Sequence, residues 1–165
     1  MVLVLMGVSG CGKTTVARIL AGELGWSFEE GDALHPPSNI EKMQAGNPLT
    51  DADRQRWLAS VADWAERRLD SGENGLITCS ALKRSYRDVI NRRGSGVVFV
   101  FLAGSKATIA PRLLVRQGHF MPASLLDSQF ADLEDPDPDE PHIRVDIGPP
   151  ADAIANGILQ ELGAR

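Results

Sequence analysis

The chain has 165 residues, 43% hydrophobic and 24% charged, the proportions of an ordinary globular protein with length for one domain and too little for two. A formal net charge of -5 argues against a general nucleic-acid binder, because phosphate backbones demand a positive surface excess, so any anionic ligand must meet a local basic patch. No apolar run approaches the roughly 18 residues of a membrane span, and no basic segment with a long apolar core opens the chain. These features predict a cytoplasmic protein without membrane or nucleic-acid partners, whose two cysteines, Cys11 and Cys79, stay reduced.

The apolar run Val2 to Met6 is predicted as a strand, and Thr14 to Leu24 as a helix stopped by Gly25. Between them Gly7 to Thr14 reads G-x-x-x-x-G-K-T, the phosphate-binding loop in its required strand, loop, helix context. Its glycines, Gly7, Gly10 and Gly12, let successive amides point into one concavity, so the predicted nucleotide cradle is Gly7, Val8, Ser9, Gly10, Cys11, Gly12, Lys13, Thr14 and Thr15. Lys13 can reach the β- and γ-phosphates, and the Thr14 hydroxyl can ligate Mg²⁺.

Ser27 to Asp32 is predicted as a second strand that puts Asp32 at its tip. A short proline-led helix follows from His35 and stops at Gly46-Asn47-Pro48. Thr50 and Asp53 form a capping-box pattern, after which Trp57, Leu58, Val61, Trp64, Ala65 and Leu69 recur at helical spacing to about Asp70. Gly75 to Ser80 and Gly96 to Leu102 read as buried parallel strands. Helices are predicted over Lys83 to Arg93, Lys106 to Gln117 and Ser124 to Leu133. Asp135 to Pro141 reads as a solvated acidic loop, Ile143 to Ile147 as the last strand, and Ala151 to Leu162 as the closing helix.

This alternation predicts an α/β fold, a three-layer doubly wound parallel sheet of about five strands, with ligands at the carboxyl ends of the strands. That rule gathers Gly7 to Thr15, Asp32 to His35, Ser80 to Arg84 and the loop after Ile147 around one cleft.

Phosphoryl transfer requires an in-line acceptor and neutralised charge on the equatorial oxygens. Asp32 is the candidate base or holder of a metal-bound water, with a turn role beside Gly31 as the alternative. The third strand ends without an acid, leaving the metal to Thr14, phosphates and water, with Asp32 as a further candidate. No Asn-Lys-x-Asp element is present, so adenine is favoured over guanine. Lys83, Arg84 and Arg87 either meet an anionic acceptor or face solvent. Arg112 and Arg116 share a helical face before a glycine loop, either as a lid over the triphosphate or as cations at a helix end. Of the histidines, His35 follows the strand-tip acid, His119 falls in the lid, and His142 has no motif around it.

The blocks MGVSGCGKTT, GDALHPPSNIEKMQAGNPLTDADRQRWL, CSALKRSYRD and RQGHFMPASLLDSQFADLE resemble, in the same order and over most of the chain, the signature blocks of the bacterial-type gluconokinases. The resemblance implies one P-loop kinase domain over residues 1–165, similar to shikimate and nucleoside monophosphate kinases, with strand order 2-3-1-4-5 and a short lid over about 117–134. It implies transfer from ATP, with Mg²⁺, to the 6-hydroxyl of D-gluconate in a homodimer. Lys13, Asp32 and Arg116 are then the expected catalytic residues, and Arg112 adds to the nucleotide cradle. Asp32, His35, Arg54, Lys83, Arg84 and His119 are the expected acceptor set. Arg54 either grips the acceptor carboxylate or pairs with Asp51 or Asp53 at the surface. The rival readings are a kinase of another small anion, such as a shikimate-like acid or a nucleoside monophosphate, and a non-catalytic ATP-dependent regulatory module.

Overall fold

Alternation along the first strand divides the interior. In the computed structural model, which describes residues 1–114 and 126–163, β1 (Val2–Met6) is wholly buried. Leu3 and Leu5 point into one apolar cluster, and Val2, Val4 and Met6 into the other. The first cluster packs under α1 (Lys13–Leu24) and α7 (Ala151–Gly163) through Val16, Leu20, Ile154 and Ile158. The second packs under α3 (Asp51–Asp70), whose Trp57, Leu58, Val61, Trp64 and Ala65 form the stripe expected from their spacing. Burying one of these Val, Leu or Ile side chains contributes about 1.5–3 kcal/mol against leaving it exposed.

The sheet is parallel throughout, in the order β2-β3-β1-β4-β5, as the family resemblance implies. Its other strands are β2 (Ser27–Glu30), β3 (Gly75–Thr78), β4 (Val97–Ala103) and β5 (His142–Asp146). The short helices α2 (Pro37–Gln44), α4 (Arg84–Ile90), α5 (Lys106–Leu114) and α6 (Leu126–Asp132) complete the described elements. Thr50 and Asp53 make the full reciprocal capping box at the start of α3.

Two expectations are corrected. The second strand ends at Glu30, and Asp32 lies in a 3₁₀ turn, Gly31–Leu34. Gly31 is pressed on the end of β3 so closely that a Cβ would stand 1.8 Å from the Thr78 carbonyl oxygen. Its N–H donates to Thr78 Oγ1 and its carbonyl accepts from Trp57 Nε1 at 2.7 Å, which takes the chain out of the ladder.

The acidic loop, in turn, is anchored where solvation was expected. Asp137 and Asp139 accept from Arg84, and Glu140 accepts a bidentate pair from the buried Arg87 at 2.6 and 2.9 Å. Arg87 also donates to the carbonyls of Ala81, Leu82 and Glu134. It is therefore a brace inside the fold and not a cation awaiting an acceptor. The loop it braces contains Ala81, whose φ of 44° is strained for a residue with a side chain.

Candidate active site

The parallel arrangement opens a cavity of about 590 Å³ at the carboxyl ends of the strands. Ser9 to Val16 of the phosphate loop and its helix, Glu30, Asp32, His35, Arg54, Trp57, Thr78, Ser80, Arg112, Gln129 and the Pro149–Pro150 turn all line it.

The phosphate loop is held by its glycines, since Gly7, Gly10 and Gly12 have φ of 134°, 83° and 100°. Lys13 Nζ folds back to donate to the carbonyls of Gly7 and Val8, at 2.9 and 3.0 Å. The cradle fits a triphosphate, being a glycine-rich loop that lines the cavity at a helix start and carries a lysine. Ser9 Oγ is buried there without a hydrogen-bond partner, and the Ser9 N–H donates to Gln129 Oε1 at 2.6 Å.

Glu30 is the residue that sequence reasoning missed. Its Oε2 accepts from Thr14 Oγ1 at 3.2 Å and from Thr78 Oγ1 at 2.7 Å, so a carboxylate stands beside the hydroxyl expected to ligate Mg²⁺. The signal was available, because in a strand residues 30 and 32 share a face and both are acids. Among the described residues no group of three or more His, Cys, Asp or Glu side chains could hold a metal alone. The donor set at Thr14 and Glu30 nevertheless suits a hard cation that takes its other ligands from phosphates and water.

Asp32 and His35 face the same cavity, with His35 Nε2 4.0 Å from Asp32 Oδ1. The His35 ring stacks on Trp57 at 4.0 Å, and Asn39 Nδ2 lies 3.3 Å from its Nδ1. Burial lowers the His35 pKa to about 4, so the ring is neutral at pH 7. Because the folded value lies below the ordinary 6.5, the unfolded chain binds more protons between those limits. The resulting stability is present above pH 6.5 and is lost as pH falls toward 4. Urea unfolding should therefore show a loss of roughly 2 kcal/mol between pH 7 and pH 5 that is missing in His35→Gln. Equal slopes in the two proteins would assign the loss to other groups.

Arg54, at the start of α3, reaches the cavity and belongs to a charged network. Its Nη1 donates to Tyr86 Oη at 3.0 Å and lies 3.5 Å from Asp132 and 3.9 Å from Asp51. Tyr86 Oη donates in turn to Asp51, which together with Lys83 holds the Asp51 carboxyl below its usual range. Both readings of Arg54 are thus present, the cleft position and the surface pairing with Asp51. Lys83 sits between Asp51 at 3.1 Å and Asp132 at 3.4 Å, beside the lining and not in it. Arg84 is not brought to the cavity, being turned to Asp137 and Asp139. Arg112 lines the cavity and donates to the Ile147 carbonyl at 2.9 Å. Arg116, His119 and the lid as far as residue 125 lie outside the described residues. His142 is in β5 with Nδ1 2.9 Å from the Glu140 carbonyl, remote from the lining. Both cysteines are free and buried, and burial pushes the Cys79 thiol up to about 12.

A family model described as an AAA domain matches residues 2–136. The chain is 52% identical over 163 residues to a gluconokinase of Gluconobacter oxydans, covering 99% of this chain and 92% of that one. It is 41% identical over 160 residues to the thermoresistant gluconokinase of Escherichia coli, covering 96% and 91%. Among solved structures, a gluconokinase from Sinorhizobium meliloti matches with a TM-score of 0.87 at 47% identity, over 98% of this chain and 91% of that one. A shikimate kinase from Aquifex aeolicus matches with a TM-score of 0.70 at 16% identity, over 99% and 96%, a likeness of fold alone.

Proposed function

The chain belongs to the gluconokinase family, and from that premise we propose that it phosphorylates D-gluconate to 6-phospho-D-gluconate by in-line transfer from ATP. The observation that carries the reading is one cavity holding both a phosphate cradle and, beyond it, an acid and an arginine suited to the two ends of an aldonic acid. When bound, ATP with Mg²⁺ supplies the transferable phosphoryl group. The loop amides and Lys13 bind and orient the phosphates, Thr14 and Glu30 hold the metal, and Arg112 flanks the nucleotide. Asp32 accepts the proton of the 6-hydroxyl, while Arg54 binds the distant carboxylate. His35, stacked on Trp57, borders the polyol between them. Arg116 acts from the predicted helix leading into the lid and His119 from the lid in this reading, and Lys83 supports Arg54. Arg84 is the weakest member of the set, since its guanidinium is committed to the acidic loop.

The same reading takes residues 1–165 as one kinase domain with its lid over about 117–134, working as a cytoplasmic homodimer. No helix among the described residues is long and apolar enough to cross a membrane. Release of ADP should depend on gluconate and not on shikimate or nucleoside monophosphates when these are offered as a panel. Acceptor-independent hydrolysis at the same rate would instead indicate a regulatory module. Arg54→Ala should raise the KM for gluconate about 10- to 100-fold, the range for losing a charge-assisted hydrogen-bond pair, and leave that for ATP nearly unchanged. Equal effects on both substrates, or none, would remove Arg54 from the carboxylate.

A further inference from the structure

Helix α6 touches both halves of the cleft. Leu126, Phe130 and Leu133, recurring at four and three residues, pack into the core and fix the helix on the body of the protein. That leaves Gln129 and Asp132, three residues apart, on a neighbouring face. Gln129 accepts the Ser9 N–H at 2.6 Å, a link between a buried side chain and the phosphate loop across 120 residues of sequence. One turn on, Asp132 stands 3.5 Å from Arg54 and 3.4 Å from Lys83, the cations on the acceptor side. The helix exit is stitched down as well. The Glu134 N–H donates to the Leu82 carbonyl, and its carboxylate accepts the N–H of Arg84.

Every described polar contact of Arg54 runs through Nη1, to Tyr86, Asp51 and Asp132, and among the described residues its Nε and Nη2 have none. The Nε–Nη2 edge is the fork that takes a carboxylate side-on, and the anchors on Nη1 decide where that fork stands. A shift of Asp132 is therefore a shift of the acceptor arginine. Because Asp132 and Gln129 ride on one rigid turn, it is also a shift of the support under Ser9.

We propose that Gln129 and Asp132 are positioning residues through which α6 couples acceptor binding to the phosphate loop, so that gluconate and nucleotide tighten each other's binding. The proposal rests on the assignment of the acceptor carboxylate to Arg54. Each ligand orders one end of a shared lever, and the second ligand then meets a site already set. The sign follows from the shared ordering cost, since a helix held by one ligand is held for both, and reciprocity makes the effect equal in the two directions.

Calorimetry with a non-hydrolysable ATP analogue and Mg²⁺, with and without saturating gluconate, reads the coupling directly. In the wild type, gluconate should tighten the analogue at least about fivefold, the lower end of measured couplings. In Asp132→Asn and in Gln129→Met, which keep approximate size, that ratio should fall toward one, and in Asp132→Asn, which does not touch the phosphate loop, the analogue alone should bind within about threefold of wild type. The double variant should fall no further than the singles, and Asp132→Glu should restore part of the ratio. Unfolding midpoints of each variant keep loss of fold apart from loss of coupling. A wild-type ratio of one, an unchanged ratio in either single variant, or additive losses in the double variant would overturn the proposal. Arg54→Ala separates the two readings. If it binds gluconate as tightly as wild type, the carboxylate assignment fails and takes the coupling with it. If it loses gluconate while the α6 variants keep their ratio, the coupling alone fails.

Discussion

Lys13→Ala should give a folded protein whose turnover is lower by about a hundredfold or more, the range for removing a preorganised charge stabiliser. Lys13 contributes little that the fold needs. Its ammonium donates to the Gly7 and Val8 carbonyls of its own loop, and the loop conformation is already set by the three glycines and by the Gly7 N–H bond to the Ser80 carbonyl. What it provides is a charge waiting over an anion cradle. The two carbonyls keep the lysine at the loop, so little reorganisation precedes its turn toward the β- and γ-phosphates. Thermal unfolding and single-turnover rates would separate the outcomes. A near-normal rate in a folded variant would take the phosphate loop out of the chemistry, and a collapsed fold would show that the lysine is structural.

How much of this was legible in the chain depended on the range of the contact. Gly7 to Thr14 could be read outright, because the loop is made by its own residues, and the capping box at Thr50 and Asp53 closed as its spacing demanded. The strand order came through the family resemblance, since periodicity alone does not say which parallel strand lies beside which. What stayed hidden are partnerships across the sheet. Gly31 ends β2 because Thr78, 47 residues away, leaves no room for a side chain. Arg87 is a brace because Glu140 lies opposite, and Arg84 turns from the cleft because Asp137 and Asp139 draw it. From its helix alone each of these cations could meet an anionic acceptor or face solvent. Their acids sit in a loop that composition alone described as solvated.

Asp32→Asn tests the other half of the chemistry and should lower turnover by about 10² to 10⁴, with a modest change in the KM for gluconate. The substitution keeps the side chain's shape, and the turn that carries it is fixed from both sides by Thr78 and Trp57, so the fold should survive. The loss is then of a proton acceptor beside the reacting hydroxyl. Position supports that role. Asp32 faces the cavity one residue past Gly31, while Glu30 accepts from the hydroxyls of Thr14 and Thr78 at the loop. In the proposed reading the two acids divide, Glu30 toward the metal and Asp32 toward the acceptor. His35 does not blunt the carboxylate, because burial keeps the ring neutral at pH 7. The division has a kinetic signature. Glu30→Gln should raise the Mg²⁺ concentration needed for half-maximal rate, and Asp32→Asn should leave that requirement near wild type while the rate falls at every concentration. If Asp32→Asn turned over normally, Asp32 would be a turn residue and Glu30 the next candidate base. If the Mg²⁺ requirement moved with Asp32, the acid would belong to the metal, and the acceptor's proton would need another destination.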